Sequence, residues 1–258
     1  MINDQLRIIS HELRLFGVHQ NFEKRADQAA SQGLSHLEFT RLLLEDERLH
    51  RKDRTAKAMT TRAKFRLQSN LEDWDQTIDR GITKAKLREL SSLSFAQSNE
   101  NLLIFGKTGE GKTHLAVATG RRLCAENVST LFLPVNFLFE EVQAAKASGK
   151  YLAFVKRLTT TKVIILDDFG LRNYTHEEAN VLVDLLEDRH RKGSVIVTSQ
   201  VDSKGWMKLF EDPIIAEAIV SRLEHPSQRI NLKGGNYREK LQSTLPAGKK
   251  LAEEKMLN

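Results

Sequence analysis

The chain has 258 residues, 40% of them hydrophobic and 29% charged, with a formal net charge of +6. This size and balance fit one α/β domain of about 170–200 residues with a small additional domain, and the positive charge favours polyanionic partners such as nucleic acid. The single cysteine, Cys124, excludes a disulfide framework, and no apolar stretch reaches the roughly 20 residues that cross a bilayer, so we expect a cytoplasmic protein.

Residues 1–68 are predicted to form a small all-helical domain that contacts DNA or a protein partner. Apolar residues recur at steps of three and four positions, the period of one helix face: Leu6, Ile9, Leu13 and Phe16. Ser35 and Glu38 have the spacing of a capping box, in which each side chain bonds the other residue's backbone N–H. A long helix is therefore expected to begin there.

The second half of that long helix is strongly basic. Between positions 48 and 66 the chain has one acid, Asp53, and the following bases: Arg48, Arg51, Lys52, Arg54, Lys57, Arg62, Lys64 and Arg66. If six of these charges met DNA phosphates, binding would fall with salt at a log–log slope of about −5. A solvated helix face or an acidic protein partner would explain the run equally well. Because no base-reading module is recognisable, DNA binding is expected to be largely sequence-independent.

Residues 69–245 are predicted to form a nucleotide-binding domain, followed by a flexible tail over 246–258. Strands are predicted at Asn101–Phe105, Thr130–Pro134, Val163–Leu166, Val195–Thr198 and Arg229–Leu232. Helices between them are predicted at Lys112–Glu126, Asn136–Leu158 and His176–Arg191. Strands that alternate with helices predict an α/β fold with a parallel sheet flanked by helices.

One motif in this domain has the chemistry of a phosphate-binding loop. Residues 106–113 read GKTGEGKT, which matches G-x-x-x-x-G-K-[ST] between a strand and a helix. Glycines let backbone N–H groups turn toward an anion, Lys112 supplies positive charge to the β- and γ-phosphates, and Thr113 offers a hydroxyl to Mg²⁺. The sequence therefore predicts ATP and Mg²⁺ as ligands. The predicted nucleotide-binding residues are Gly106, Lys107, Thr108, Gly109, Glu110, Gly111, Lys112, Thr113 and His114.

Two carboxylates follow the apolar strand 163–166. Carboxylates at the end of a parallel strand lie where α/β proteins bind their ligands. We assign Asp167 to the magnesium shell, directly or through water, and Asp168 to orienting or deprotonating the attacking water. A pair of solvated acids at a strand end is the alternative. Trp74, which precedes the first strand, is interpreted as a core residue, with a contact to adenine as the alternative.

Together these motifs resemble the IstB/DnaC clade of AAA+ P-loop ATPases, most closely the IstB transposition helper proteins of insertion sequences. The resemblance extends over nearly the whole chain. It is carried by residues 33–39, 111–116, 166–170, 187–194, 196–200, 221–223 and 235–238.

The resemblance implies three further catalytic residues. Gln200 matches sensor 1, a polar group near the γ-phosphate, although the family more often has Asn there. Arg222 matches an arginine finger that reaches the ATP of the neighbouring subunit, and Arg238 matches sensor 2. Ser221 replaces the Asp that usually precedes the finger, and Asp168 replaces the Glu common in ring-forming relatives. Each arginine has an alternative role as an ordinary surface or salt-bridge residue.

The function that the resemblance implies is an ATP-dependent, DNA-binding regulator of transposition. Such a protein would assemble into a ring or helical filament on duplex DNA, recruit a transposase of the same mobile element, and disassemble on ATP hydrolysis. The insert 136–158, with Lys146, Lys150, Lys156 and Arg157, would face nucleic acid or solvent. Two alternatives are a DnaC-like helicase loader, which prefers single strands, and a non-hydrolysing ATP switch.

Overall fold

The computed structural model describes residues 2–234, which divide into two compact units. One unit contains the residues up to Met59 together with Ala125–Asn127, and the other contains the remainder from Thr60. The domain boundaries drawn from the sequence, after residues 68 and 245, stay predictions. Within the described range, no helix is both long and apolar enough to cross a membrane.

The first unit is helical, as the sequence predicts. Its helices are α1 (Ile2–Glu12), α2 (Phe16–Gln32) and α3 (His36–Arg62), whose last residues, from Thr60, are assigned to the second unit. The capping box before α3 is formed, since the Ser35 N–H donates to Glu38 Oε2 at 2.9 Å and the Glu38 N–H donates to Ser35 Oγ at 3.3 Å. This reciprocal pair satisfies two backbone donors that an uncapped helix start would leave unpaired.

Two buried carboxylates of α3 form hydrogen bonds with residues of α2. Glu47 Oε2 accepts from the Gly17 N–H at 2.7 Å, and Asp46 accepts two hydrogen bonds of 2.8 Å from the Arg25 guanidinium. A Cβ atom on Gly17 would lie 2.5 Å from the Asp46 carbonyl oxygen, so only glycine permits this approach of the two helices. The hydrogen bond from Arg25 holds the pKa of Asp46 below its ordinary value.

The second unit is built on a parallel five-stranded sheet, which confirms the predicted fold class. The strands are β1 (Asn101–Phe105), β2 (Thr130–Pro134), β3 (Val163–Phe169), β4 (Ser194–Ser199) and β5 (Ser227–Asn231). Their spatial order is β2-β3-β4-β1-β5, and every neighbouring pair is parallel. The carboxyl-terminal ends of β3, β4 and β1, the three central strands, therefore lie side by side.

Helices flank this sheet on both faces. They are α4 (Lys84–Ser92), α5 (Ser94–Gln97), α6 (Lys112–Ala125), α7 (Val135–Ala147), α8 (Tyr151–Thr160), α9 (His176–Arg189), α10 (Ser203–Trp206) and α11 (Pro213–Glu224). The prediction of one helix over 136–158 is wrong. Gly149 has a φ of +67°, a left-handed conformation that ends a helix, so the basic insert is divided between α7 and α8.

Both faces of the sheet are buried. Along β3, Ile164 and Leu166 pack in an apolar cluster with side chains of α7, α8, α9 and α11, whereas Val163 and Ile165 pack on the opposite face with side chains of α4 and α6. A parallel strand covered on both sides has no polar face. This explains why the strands are continuous apolar runs without alternation.

Candidate nucleotide-binding site

The loop 106–113 connects the end of β1 to the start of α6. Gly109 and Gly111 have φ values of +83° and +95°, which L side chains rarely adopt. A Cβ atom on Gly111 would also lie 3.2 Å from the Arg80 guanidinium and 3.3 Å from the Trp74 ring. The two glycines therefore permit the tight backbone curvature on which anion binding by loop N–H groups depends.

Two charged side chains brace the inside of this loop. The buried carboxylate of Glu110 accepts a hydrogen bond from the Lys107 N–H at 2.6 Å, and the buried Lys112 ammonium donates to the Lys107 carbonyl at 3.0 Å. Burial lowers the pKa of Lys112, and the nearby carboxylates of Asp168, Glu110 and Asp167 work against that shift. A cation is thus held across the loop, at the position predicted to contact the phosphates.

The carboxylate of Asp167 connects the loop to the end of β3. The Thr113 hydroxyl donates to it at 2.9 Å, and the Thr198 hydroxyl donates to the same oxygen, Oδ1, at 2.6 Å. Burial raises the pKa of Asp167. Hydroxyl and carboxylate oxygens are the hard donors that Mg²⁺ prefers, and Mg²⁺ commonly takes only one or two protein ligands beside phosphates and water. The set fits that ion, although the described residues hold no group of three or more His, Cys, Asp or Glu side chains around a potential metal site.

The next residue, Asp168, turns away from the sheet. Its φ is +59°, in the left-handed region, and its side chain is exposed although its neighbours on β3 are buried. Asp and Asn are the side chains that best tolerate this conformation. The backbone therefore gives a physical reason for a short carboxylate at this position.

Gln200 lies at the same edge, one residue past β4. Its Oε1 accepts a hydrogen bond from the Thr108 hydroxyl of the phosphate loop at 2.9 Å. The structure thus brings a predicted sensor residue against the loop, while its catalytic role stays a prediction. The resemblance placed Thr198 in the same strand end, 198–200, but gave it no role of its own, although Thr198 is fully buried and contacts Asp167 directly. The sequence signal available for Thr198 was its polar side chain near the end of an apolar strand.

Arg222 lies near the amino-terminal end of β1, whereas the phosphate loop follows its carboxyl-terminal end. Its carbonyl accepts a hydrogen bond from Asn101 Nδ2 at 2.8 Å, and Asn101 is the first residue of β1, whereas the loop follows the last. The length of β1 puts about 16 Å between these positions. The Arg222 guanidinium pairs with Glu187 at 2.8 Å. Arg238, the predicted sensor 2, lies outside the described residues.

Aromatic and basic side chains pack behind the loop. Trp74 is buried in the core, with the Arg80 guanidinium 3.5 Å from the centre of its ring and the His114 ring at 5.9 Å. Burial lowers the pKa of His114, which favours the neutral imidazole. The structure agrees with the interpretation of Trp74 as a core residue.

Comparison of the sequence with known proteins identifies its relatives. The IstB-like ATP binding protein family matches residues 9–245. An ATP-binding protein of insertion sequence IS21 from Pseudomonas aeruginosa is 32% identical over 236 residues, which cover 92% of this chain and 89% of the relative. The insertion sequence ATP-binding protein y4pL of Sinorhizobium fredii is 35% identical over 224 residues, which cover 87% and 91%.

Solved structures share the fold at lower sequence identity. DnaI superposes with a TM-score of 0.55 and 21% identity, covering 64% of this chain and 92% of its own. AMPPCP-bound DnaA from Aquifex aeolicus gives a TM-score of 0.55 and 16% identity, covering 72% and 59%. These similarities extend the α/β assignment to the AAA+ fold. With its phosphate loop and paired carboxylates in place on that fold, the chain belongs to the IstB-like ATP binding protein family.

Proposed function

We propose that this protein is an Mg²⁺-dependent ATPase that binds duplex DNA and regulates transposition. It assembles on DNA when ATP is bound, recruits and stimulates a transposase of the same mobile element, and disassembles on hydrolysis. One observation carries this proposal: the phosphate loop and the carboxylate of Asp167 meet at one end of the strands, and Arg222 lies at the other end.

Hydrolysis is assigned to the residues around the loop. Lys112 binds the β- and γ-phosphates, and Asp168, exposed beside it, orients or deprotonates the attacking water. Thr113 and Asp167 hold Mg²⁺, which when bound neutralises charge on the phosphate oxygens. Gln200, through its contact with Thr108, is assigned to sensing the γ-phosphate.

Assembly is assigned to Arg222. The Arg222 backbone lies beside the start of β1, about 16 Å along the strand from its own loop, and its guanidinium pairs with Glu187, so we assign it to the ATP of a neighbouring chain. Serving a neighbour's ATP requires head-to-tail contacts, which generate a ring or a helical filament. The terminal Arg238, as sensor 2, completes the proposed site.

DNA binding is assigned to the basic side chains of the helical N-terminal domain, residues 1–68, and of α7 and α8. The bases of α3 are exposed: Arg48, Arg51, Lys52, Arg54, Lys57 and Arg62. On α7 and α8, Lys146 and Lys156 are also exposed. The names of the curated relatives, ATP-binding proteins of insertion sequences, support transposition as the process served.

A helicase loader is the second candidate, because the DnaC helicase loader shares this fold with a TM-score of 0.52. Electron microscopy of the protein with ATP and Mg²⁺, on duplex DNA and on single strands, separates the two functions. We expect ordered assemblies on the duplex that disappear when ATP is replaced by ADP. Assemblies confined to single strands would contradict the transposition proposal.

A further inference from the structure

The ladder between β3 and β4 has an irregularity at the two carboxylates. Leu166 pairs with Val197 and Phe169 pairs with Ser199, so the two aspartates of β3 stand opposite a single residue, Thr198. A bulge of this kind leaves one residue without its ladder partner and re-aims a side chain. Here the residue with the left-handed backbone is Asp168.

The side chain of Thr198 makes hydrogen bonds to both aspartates at this irregularity. Its hydroxyl accepts from the Asp168 N–H at 2.9 Å and donates to Asp167 Oδ1 at 2.6 Å. Thr198 has no exposed surface, so water cannot replace either bond. Since a hydroxyl has one proton, the donation to Asp167 fixes its direction and leaves its lone pairs for Asp168.

One hydroxyl therefore sets the geometry of both carboxylates. The bond to the Asp168 N–H stabilises the backbone that turns this side chain outward, and the bond to Asp167 holds that carboxylate opposite the Thr113 hydroxyl. We propose that Thr198 is the positioning residue for ATP hydrolysis, aligning Asp168 with the attacking water and Asp167 with Mg²⁺. This inference rests on the proposed function.

The test compares Thr198→Val, which keeps the shape and removes the hydroxyl, with Thr198→Ser, which keeps the hydroxyl. Thr119→Val is the matched control, because Thr119 is also fully buried but its hydroxyl only donates to the Leu115 carbonyl within α6. The full-length variants are assayed for kcat and KM with ATP, Mg²⁺ and duplex DNA, and for thermal unfolding.

We expect Thr198→Val to lower kcat by about 10²-fold with a KM changed less than about threefold, since a displacement of about 1 Å can cost that much. Thr198→Ser, which keeps the hydroxyl, is expected to retain most of the wild-type kcat. Thr119→Val lowers the melting temperature without changing kcat. The proposal is overturned if Thr198→Val hydrolyses ATP at the wild-type rate, or if Thr198→Ser fails to restore the rate. A wild-type protein without ATPase activity would instead contradict the proposed function itself.

Discussion

The hydroxyl of Thr113 lies 2.9 Å from one carboxylate oxygen of Asp167 and 3.2 Å from the other. This contact joins the phosphate loop to the end of β3 and brings together two oxygen donors suited to Mg²⁺.

We expect Asp167→Asn to weaken ATP binding in the presence of Mg²⁺ and to leave ATP binding in EDTA nearly unchanged. Titration of a fluorescent ATP analogue with and without Mg²⁺ measures both. Asp184→Asn, at an exposed position of α9, is the control. Equal affinities with Mg²⁺ for Asp167→Asn and wild type would remove Asp167 from the metal site.

Replacing Asp168 with Asn separates binding from hydrolysis. Asn tolerates the left-handed backbone of this position, so the fold is retained, while the group that accepts a proton is lost. We expect ATP affinity to be preserved and turnover to fall by about 10²–10⁴-fold. Assemblies on DNA should then persist after ATP is added, as seen by light scattering. Unchanged phosphate release would show that Asp168 is not the base.

Two inactive variants should restore each other if Arg222 acts on a neighbour. Lys112→Ala removes the cation of a chain's own loop but keeps Arg222, and Arg222→Ala keeps the loop but lacks the finger. Each alone should hydrolyse ATP slowly, since an arginine finger contributes about 10³–10⁵-fold. Mixed in equal amounts, they form some interfaces with both parts, so activity should return. Lys208→Ala, which removes an exposed lysine outside the loop, controls for the loss of one surface charge. Activity of Arg222→Ala alone at the wild-type level would contradict a finger in trans.

The pair of Arg25 and Asp46 should make the N-terminal unit sensitive to acid. The hydrogen bond from Arg25 lowers the pKa of Asp46 in the folded state. Its stabilisation is therefore fully present above the unfolded pKa, near pH 4, and is lost as the pH falls through the lower folded value. We expect Asp46→Asn to lower the unfolding midpoint at pH 7, and we expect its difference from the wild type to shrink as the pH falls below about 4.

Glu45→Gln is the matched control for that experiment. Glu45 precedes Asp46 on the same helix and also acts electrostatically on Arg25, but it forms its salt bridge with the exposed Arg41, one turn away. Exposed pairs of this kind contribute at most about 0.5 kcal/mol. Equal losses at pH 7 for the two substitutions would mean that the buried pair has no special role.

The sequence predicts the elements best where the pattern is local. The bounds of β1 and β2 are those expected, because continuous apolar runs end at turn residues. The helix over 136–158 is wrong because its apolar period continues across Gly149, and periodicity does not report a left-handed backbone. β3 extends to Phe169 because the bulge lets it pair again beyond the carboxylates.

The residues of the candidate site also divide into those with a local sequence signal and those without one. Lys112, Thr113 and Asp167 could be predicted because their spacing in the chain carries the chemistry. Thr198 could not, because its contact with Asp167 depends on the register between two strands. The position of Arg222 near the amino-terminal end of β1 could not be predicted either. It depends on the topology that places β1 in the interior of the sheet.

Arg189 illustrates why the burial of a charge is hard to read from sequence. It lies in a family motif, yet its guanidinium is buried and donates to carbonyl oxygens at Leu158, Thr161, Lys162 and Ser194. Burial lowers its pKa to about 10, which leaves it charged at neutral pH. The neighbouring motif residue Glu187 is exposed and pairs with Arg222. Two positions of one motif, separated by a single residue, therefore have unrelated roles.

The left-handed backbone at Asp168 has an evolutionary consequence. The residues that fit this conformation with little strain are Asp, Asn and Gly, and only Asp carries a carboxylate. In the genetic code, Asp is one base change from either of the other two. A single point mutation can therefore remove the proposed base while the fold and the phosphate loop are preserved. Lineages that descend from such a mutation would inherit a nucleotide switch in place of an enzyme, with no intermediate that folds poorly.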